Sequence, residues 1–252
     1  MGKKNRLRLW ELDAFRGIAI LGMISFHFLF DLKYFGIHPS IEGLRTLPEY
    51  FWDIYSSLVA WSFLILVGIS ATVRTAQAGG SITVRNFRKP ALRVLAAACI
   101  VTAISLIFNR ELPIYFGVLH CIGVSLFLLP FFLPLGKWNY LWAALIYVVG
   151  KWMNHHPVHF KAFIWLGLKP HPMPMGDYFP LLPWTAIILL GIAISSSLRL
   201  ASREHWLPER WQSTRSAQAL GFLGRHSLLI YLVHQPILLA LASIVGLTRF
   251  PH

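Results

Sequence analysis

The 252-residue chain is 56% hydrophobic and only 13% charged, with a mean hydropathy of +0.58. Soluble domains carry about 25% charged residues, so this composition excludes an ordinary soluble domain and predicts one all-α integral membrane domain over residues 1–252. The net charge of +13 does not indicate a nucleic-acid partner, because the basic residues cluster at the ends of apolar runs.

Apolar runs long enough to cross about 30 Å of hydrocarbon predict a bundle of seven transmembrane helices. The first run follows a basic N-terminus, but no small-x-small cleavage site comes after it, so we interpret it as a retained helix rather than a signal peptide. The predicted helices lie at about 16–36, 55–74, 91–109, 113–133, 138–153, 179–198 and 226–247.

The distribution of basic residues predicts a cytoplasmic N-terminus. With that orientation the inner segments hold 16 Lys and Arg residues and the outer segments hold 7, which fits the positive-inside rule. Trp and Tyr residues flank most of the predicted helices, as expected at membrane interfaces. The segment 206–222 mixes Trp and Leu with polar residues, and we expect it to lie along the cytoplasmic interface.

Three histidines lie within predicted helices, and ionisable residues at membrane depth are functional candidates. By helix rise, His27 lies ~12 Å and His120 ~10 Å below the outer surface, so both can occupy one level. His234 lies nearer the middle of the last helix, and Asp31 shares a face with His27 at i+4. These residues are interpreted either as inert polar contacts between helices or as a catalytic group in an outer cavity.

Further polar residues mark the predicted outer side. His38 follows the first helix, and Asp177 and Trp184 bracket the start of the sixth. His and Asp are metal-ligand types, but their spacing here matches no metal signature, and we expect no metal. The histidines of the 154–178 loop are interpreted as solvated residues.

At the inner side, Asp13 and Arg16 precede the first predicted helix, and an ion pair that orients the helix end is the simplest interpretation. Other inner basic residues anchor to lipid headgroups or hold a phosphorylated donor. No P-loop or GxGxxG is present, so a nucleotide-binding fold is not indicated. The candidates for donor binding are Arg16, Arg88, Arg93 and Arg225.

Several stretches together resemble the catalytic membrane domain of the heparan-α-glucosaminide N-acetyltransferase family, in its short bacterial form. They are LDAFRGIAILGMISFHFLFDLKYFGIH, FLILVGISATV, FGVLHCIGVSLFLL, DYFPLLPWTAIILLGI and LGRHSLLIYLVHQPILL, and they cover nearly the whole chain. The most specific piece is the RG…H spacing from Arg16 to His27, which a wider group of membrane acyltransferases shares.

The resemblance implies transfer of an acetyl group from cytoplasmic acetyl-CoA to a sugar amine or hydroxyl on the far side of the membrane. The family's catalytic histidine falls on His38, and its deeper polar position falls on His27, where we expect Asn in the lysosomal enzyme. Which of the two is the base therefore stays open. The outer acidic residue matches Asp177. The resemblance also implies a multi-pass bacterial inner membrane protein that acts on an envelope glycan or amino sugar, and it is compatible with a homodimer.

On this hypothesis Arg16 and His27 are separated by about 16 Å of helix, which is of the order of a pantetheine arm. His38 or His27 acts as the general base or carries a transient acetyl group, and Asp31 orients His27. His120 stabilises the oxyanion, and Asp177, Trp184 and His234 contact the acceptor. The alternatives are a proton-coupled transporter that uses the His and Asp cluster, and a structural subunit whose polar residues serve only packing. The sequence does not distinguish acetyl from longer acyl groups.

Overall fold

Helices account for nearly all of the regular structure in the computed structural model, which describes residues 9–35, 42–80, 82–108, 110–156, 158, 160–170, 173–203 and 205–244. Within these ranges there is no extended strand, only isolated bridges between Phe116 and Tyr178 and between Val158 and Pro170. The α-helices are α1 (Trp10–Phe35), α2 (Glu42–Arg45), α3 (Glu49–Gln77), α4 (Val84–Phe108), α5 (Val118–Phe132), α6 (Asn139–Asn154), α7 (Leu181–Ser197), α8 (Arg215–Arg225) and α9 (Ser227–Ile244).

The fold is that of an all-α membrane protein, and a helix lies at each of the seven predicted positions. Among the described residues, five stretches are long and apolar enough to cross a bilayer, and one of them, Val118–Asn154, contains both α5 and α6. The helix α7 is apolar but has only 17 residues. The count of seven crossings and the cytoplasmic N-terminus therefore stay predictions.

Some predicted helix ends were wrong. The helix α4 begins at Val84 rather than near residue 91, so Pro90 lies inside it. Proline is tolerated within membrane helices because neighbouring groups satisfy the carbonyl that it leaves unpaired. In contrast, α5 begins only at Val118 rather than near 113, because the preceding segment is extended and Phe116 bridges Tyr178. The helices α1 and α3 each begin about six residues before the predicted start.

The chain forms two compact units, with boundaries inside α3 and after Trp206. The terminal unit comprises residues 9–63 and 207–244, and the central unit comprises residues 64–206. In the terminal unit, α1 packs against α8 near its start and also contacts α9 and α2. A Cβ on Gly17 would collide with the Leu220 carbonyl, and one on Gly224 with the Asp13 carbonyl, so these glycines allow the backbones of α1 and α8 to touch.

The segment 206–222, predicted to lie along the membrane interface, contains a 3-10 turn at Glu209–Trp211 and most of α8. The Thr214 hydroxyl caps α8 by accepting a hydrogen bond from the Ala217 N–H at 3.3 Å. Large apolar side chains on this segment, Trp211 and Phe222, are about half exposed. Exposed apolar residues of this size are compatible with contact to lipid, and the interfacial placement stays a prediction.

In the central unit, α7 forms the core. Most of its residues are buried, which is typical of a helix that is apolar on every side. The helix α7 packs against α6 and contacts α5, and α5 packs against α4. Polar contacts within this core are hydroxyl pairs, Ser125 with Thr185 at 3.1 Å and Thr72 with Ser195 at 2.5 Å.

Candidate functional site

A buried polar cluster lies where α1 and α9 meet in the terminal unit. We call it the histidine cluster, and it consists of His27 and Asp31 from α1 with His234 and Gln235 from α9. The ring centroids of His27 and His234 are 4.8 Å apart, with the rings tilted by 59°. Asp31 is 4% exposed and His234 is 8% exposed. The structure thus brings three of the predicted site residues together on two helices that are distant in sequence.

Asp31 is held by α9 rather than by its own helix. The Gln235 Nε2 amide donates to both carboxylate oxygens of Asp31, at 2.9 and 3.0 Å. Among the described residues, Asp31 makes no hydrogen bond to His27. The structure therefore does not support the prediction that Asp31 orients His27 directly. Gln235 was not predicted as a site residue. The available signal was its place beside His234 in an apolar helix, where any polar side chain is a candidate.

The hydrogen bond of His234 defines its tautomer. The Nδ1 atom lies 2.7 Å from the Tyr231 carbonyl oxygen, and because a carbonyl only accepts, Nδ1 carries the proton. In a neutral imidazole the other nitrogen, Nε2, then has a free lone pair. This Nε2 atom is buried and has no hydrogen-bond partner within the described ranges, and the same is true of Gln235 Oε1. Buried acceptors without partners are costly, so both atoms are suited to receive donors from a ligand.

His120, in the central unit, is engaged differently. Its Nδ1 accepts from the Gly117 N–H at 3.3 Å at the start of α5. Its Nε2 lies 3.4 Å from the Thr102 hydroxyl, which donates its own proton to the Ile114 carbonyl at 2.7 Å. Both ring nitrogens of His120 therefore have partners in the protein. These contacts hold the start of α5 against α4, and stabilisation of an oxyanion by His120 stays a prediction.

Asp177 lies at the same end of α5. Its Oδ2 accepts from the N–H of Val118, the first residue of the helix, at 3.2 Å, where an acidic group is favoured by the helix dipole. Burial raises the pKa of Asp177 to about 6, while the Val118 N–H acts in the opposite direction. Trp184 packs on Phe179 with ring centroids 4.4 Å apart, within an apolar cluster that includes Phe116 and Leu181. Binding of the acceptor by Asp177 and Trp184 stays a prediction.

The outer cavity predicted from the sequence requires residues of both units to lie close together, and that arrangement stays a prediction. His38 lies outside the described residues. Among the residues that are described, no three His, Cys, Asp or Glu side chains form a group that could hold a metal ion.

The predicted donor-binding arginines occupy separate places. Arg16 forms the expected ion pair with Asp13 at 3.1 Å, and Asp13 is buried. Arg225 ends α8 in the same unit, and its side chain is exposed. Arg88 and Arg93 are exposed on α4 in the central unit. A single donor site built from these four residues stays a prediction.

Residues 8–236 match the sequence profile of a family described as heparan-alpha-glucosaminide N-acetyltransferase, catalytic. The match extends from just before α1 through the histidine cluster and covers most of the 252 residues. No curated protein and no solved structure matches the chain at a significant level.

Proposed function

Because the chain belongs to the heparan-alpha-glucosaminide N-acetyltransferase catalytic family, we propose that it transfers an acetyl group from cytoplasmic acetyl-CoA to a sugar amine or hydroxyl on the opposite side of the membrane. The family match supports a membrane acetyltransferase, and the long apolar helices support a multi-pass membrane protein. The same match gives no support to a proton-coupled transporter. An envelope glycan or amino sugar is the acceptor class that we propose.

The observation that carries the mechanism is the free lone pair on His234 Nε2 beside the ring of His27. A neutral imidazole nitrogen is the group that a general base needs near neutral pH. The acceptor amine attacks the thioester carbonyl carbon, and its proton passes to a histidine. The new C–N bond forms as the C–S bond breaks, and the CoA thiolate takes the proton to leave as the free thiol. The histidine is then neutral again.

A covalent route uses the same lone pair. The imidazole nitrogen attacks the thioester carbonyl carbon, and the C–S bond breaks to release the thiolate. The acceptor amine then attacks the acetyl carbon, and the C–N bond to the imidazole breaks as the amide bond forms. The thiolate takes the amine proton to become the free thiol. His27 and His38 remain candidates for the base or the acetyl carrier, and His234 joins them through its tautomer. In either route Asp31 holds Gln235, and the buried Gln235 Oε1, which has no hydrogen-bond partner among the described residues, accepts a hydrogen bond from an acceptor N–H or O–H.

The donor is held at its nucleotide end in this proposal. Arg16 lies eleven residues before His27 on α1, or roughly 16 Å along the helix, which suits a pantetheine arm between a phosphate contact and the histidine cluster. Arg88, Arg93 and Arg225 are the other proposed phosphate contacts. His120, Asp177 and Trp184 remain proposed contacts of the acceptor.

The test is acetyl transfer by the purified full-length protein in detergent, from radiolabelled acetyl-CoA to a panel of amino sugars and neutral sugars. Replacement of His27, His38 or His234 by Ala, one at a time, should lower the rate of transfer by about 10²- to 10⁴-fold at the residue that acts as base. His226→Ala is the matched control, because His226 Nδ1 also bonds a backbone carbonyl, that of Phe222 at 2.9 Å, but is exposed. Full activity in all three variants would contradict the mechanism.

A further inference from the structure

A basic cavity of about 350 Å³ lies in the central unit between the end of α3 and the start of α4. Its lining includes Arg74 and Thr75 from α3 and Arg85, Phe87 and Lys89 from α4. We call this set the basic pocket. Its volume falls within the range of about 300 to 1,000 Å³ that small-molecule sites occupy. Arg85 and Lys89 are four residues apart, so they share one face of α4.

The positive charge of the basic pocket has no acidic counterpart. The sequence contains no Asp or Glu between Asp53 and Glu111, so none is available from α4 or from the part of α3 in this unit. No ion pair involves Arg74, Arg85 or Lys89 within the part of the chain that the structure describes, and all three side chains are exposed. Three cations around one concave site, without a carboxylate, attract an anion.

The carbonyl groups at the end of α3 do not need the basic side chains of the pocket as hydrogen-bond donors. At the end of α3, the Ala78 N–H bonds the Arg74 carbonyl at 3.1 Å, and the Gly80 N–H bonds the Thr75 carbonyl at 3.0 Å. Backbone groups therefore satisfy these carbonyls, which basic side chains often cover at the end of a helix. The cations of the basic pocket are left available for a ligand.

Two further features favour an anion with several oxygen atoms. The N–H groups of Val84 and Arg85, at the start of α4, have no partner within the helix and favour a negative charge, whereas the Asn86 N–H bonds the Thr83 carbonyl at 3.0 Å. The Thr75 hydroxyl oxygen is buried and has no hydrogen-bond partner among the described residues, so a donor is present beside the cations. Two guanidinium groups, an ammonium group and a hydroxyl are the donor set that binds phosphate esters.

We propose that the basic pocket binds a phosphate ester through Arg74, Arg85, Lys89 and Thr75. The phosphate belongs either to the nucleotide end of the CoA donor or to the headgroup of an anionic lipid. The charge distribution predicts that this end of α3 and α4 faces the cytoplasm, where both are present. Only the assignment of the phosphate to CoA rests on the proposed function. In that case the pocket adds phosphate contacts to those proposed for Arg88 and Arg93.

The experiment uses purified full-length protein in a neutral detergent. Binding of CoA and of dephospho-CoA, which lacks the 3′-phosphate, is measured by calorimetry, and thermal stabilisation by dioctanoyl phosphatidic acid is measured in parallel. The pocket variants are Arg85→Gln and Lys89→Gln, with Thr75→Val as a variant that keeps every charge. Lys137→Gln is the control, because Lys137 is also an exposed inner cation by prediction but lies outside the pocket.

A CoA source predicts that the charge variants bind CoA about tenfold or more weakly, that dephospho-CoA is affected less, and that Lys137→Gln is unchanged. A lipid source predicts unchanged CoA affinity and loss of the stabilisation by phosphatidic acid. Folded variants that keep both responses would overturn the proposal while leaving the proposed function intact. A wild-type protein that binds no CoA, yet loses its response to phosphatidic acid in the pocket variants, would refute the proposed donor and support the pocket as a lipid site.

Discussion

The imidazole rings of His27 and His234 lie with their centroids 4.8 Å apart, although 206 residues separate them in the sequence. The Nδ1 N–H of His234 donates a hydrogen bond to the Tyr231 carbonyl, so in the neutral imidazole Nε2 is the unprotonated nitrogen. In the proposed mechanism, the pair supplies a base and a second imidazole to assist it at the contact between α1 and α9. This arrangement leads to predictions that separate a chemical role from a structural one.

Replacing His234 by Asn or by Gln separates the roles of its two ring nitrogen atoms. An Asn side chain has its amide nitrogen near the position of Nδ1, so His234→Asn retains the hydrogen bond to Tyr231 but has no acceptor at the Nε2 position. We expect it to fold with a thermal stability near that of the wild type and to lose acetyl transfer by about 10²-fold or more. The measurements are the melting temperature and the initial rate of transfer.

Gln at the same position is the companion variant, because its amide group reaches the Nε2 position but does not bond Tyr231 in the same way. His234→Gln supplies no group that can take a proton near neutral pH, so it should also be inactive. An active His234→Asn protein would show that His234 is structural and would leave the base to His27 or His38.

The pair of Asp31 and Gln235 should couple α1 to α9. Asp31→Ala leaves the buried Gln235 amide without its acceptor, and we expect a loss of about 1–3 kcal/mol in the free energy of unfolding. The Gln235→Ala variant and the double variant complete a cycle, in which the double variant should be less destabilised than the sum of the single ones. Additive losses would show that the two residues act independently.

The close contact of α1 with α8 should tolerate no side chain at Gly224. Gly224→Ala places a Cβ against the Asp13 carbonyl of α1, and we expect a destabilisation of about 1–3 kcal/mol or more. Gly221→Ala is the matched control on the same helix. Its Cβ would meet only the flexible Arg225 guanidinium at 3.2 Å, and Ala is the better helix former, so its stability should equal or exceed that of the wild type. Equal melting temperatures for the two variants would contradict the packing of α1 on α8.

The stability of the protein should depend on the protonation of Asp177. Burial raises the pKa of Asp177 from 3.8 to about 6, so the folded state binds this proton more tightly than the unfolded state does. The resulting stabilisation is present at low pH and is lost as the pH rises through 6. Asp177→Asn has no such proton and retains an oxygen to accept from the Val118 N–H.

The melting temperatures of wild type and Asp177→Asn, measured from pH 5 to pH 7.5, test this sign. The wild type should lose stability relative to the variant as the pH rises. A constant difference across the range would show that Asp177 titrates at its ordinary pKa in the folded protein.

The sequence was sufficient for the membrane class and for the approximate positions of the helices, though not for their ends, because hydropathy reports on burial in lipid and not on where a helix begins. It also predicted His27, His234 and Asp31 as candidates, because ionisable residues are rare in apolar helices, and the structure brings these three residues together. The partner of Asp31 was not predictable in this way. Asp31 lies one turn from His27 on α1, which suggested an interaction within the helix, whereas the structure places Gln235 of α9 against it. Which helix packs against α1 is a property of the tertiary fold.

The contact of α1 with α8 was missed for a related reason. The segment before α9 was predicted to lie along the membrane interface from its mixed composition, and nothing in that composition shows that Gly224 touches the backbone at Asp13. The basic pocket was likewise not predicted from the sequence. Arg85 and Lys89 were counted among the charges that orient the protein, and only the start of α4 at Val84 places them on one helical face beside Arg74 and Thr75.

The most direct test of the central claim is calorimetric binding of acetyl-CoA to the purified, folded protein in detergent, beside free CoA. It does not require the acceptor to be known. We predict saturable binding of acetyl-CoA that Arg16→Ala weakens and that His38→Ala leaves unchanged, because in the proposed mechanism the donor is held at its nucleotide end and the histidines act on the acetyl group and the acceptor. If a well-folded sample binds no acyl-CoA, the chain is not an acyl-CoA-dependent acetyltransferase, and the polar residues of its helices serve another purpose.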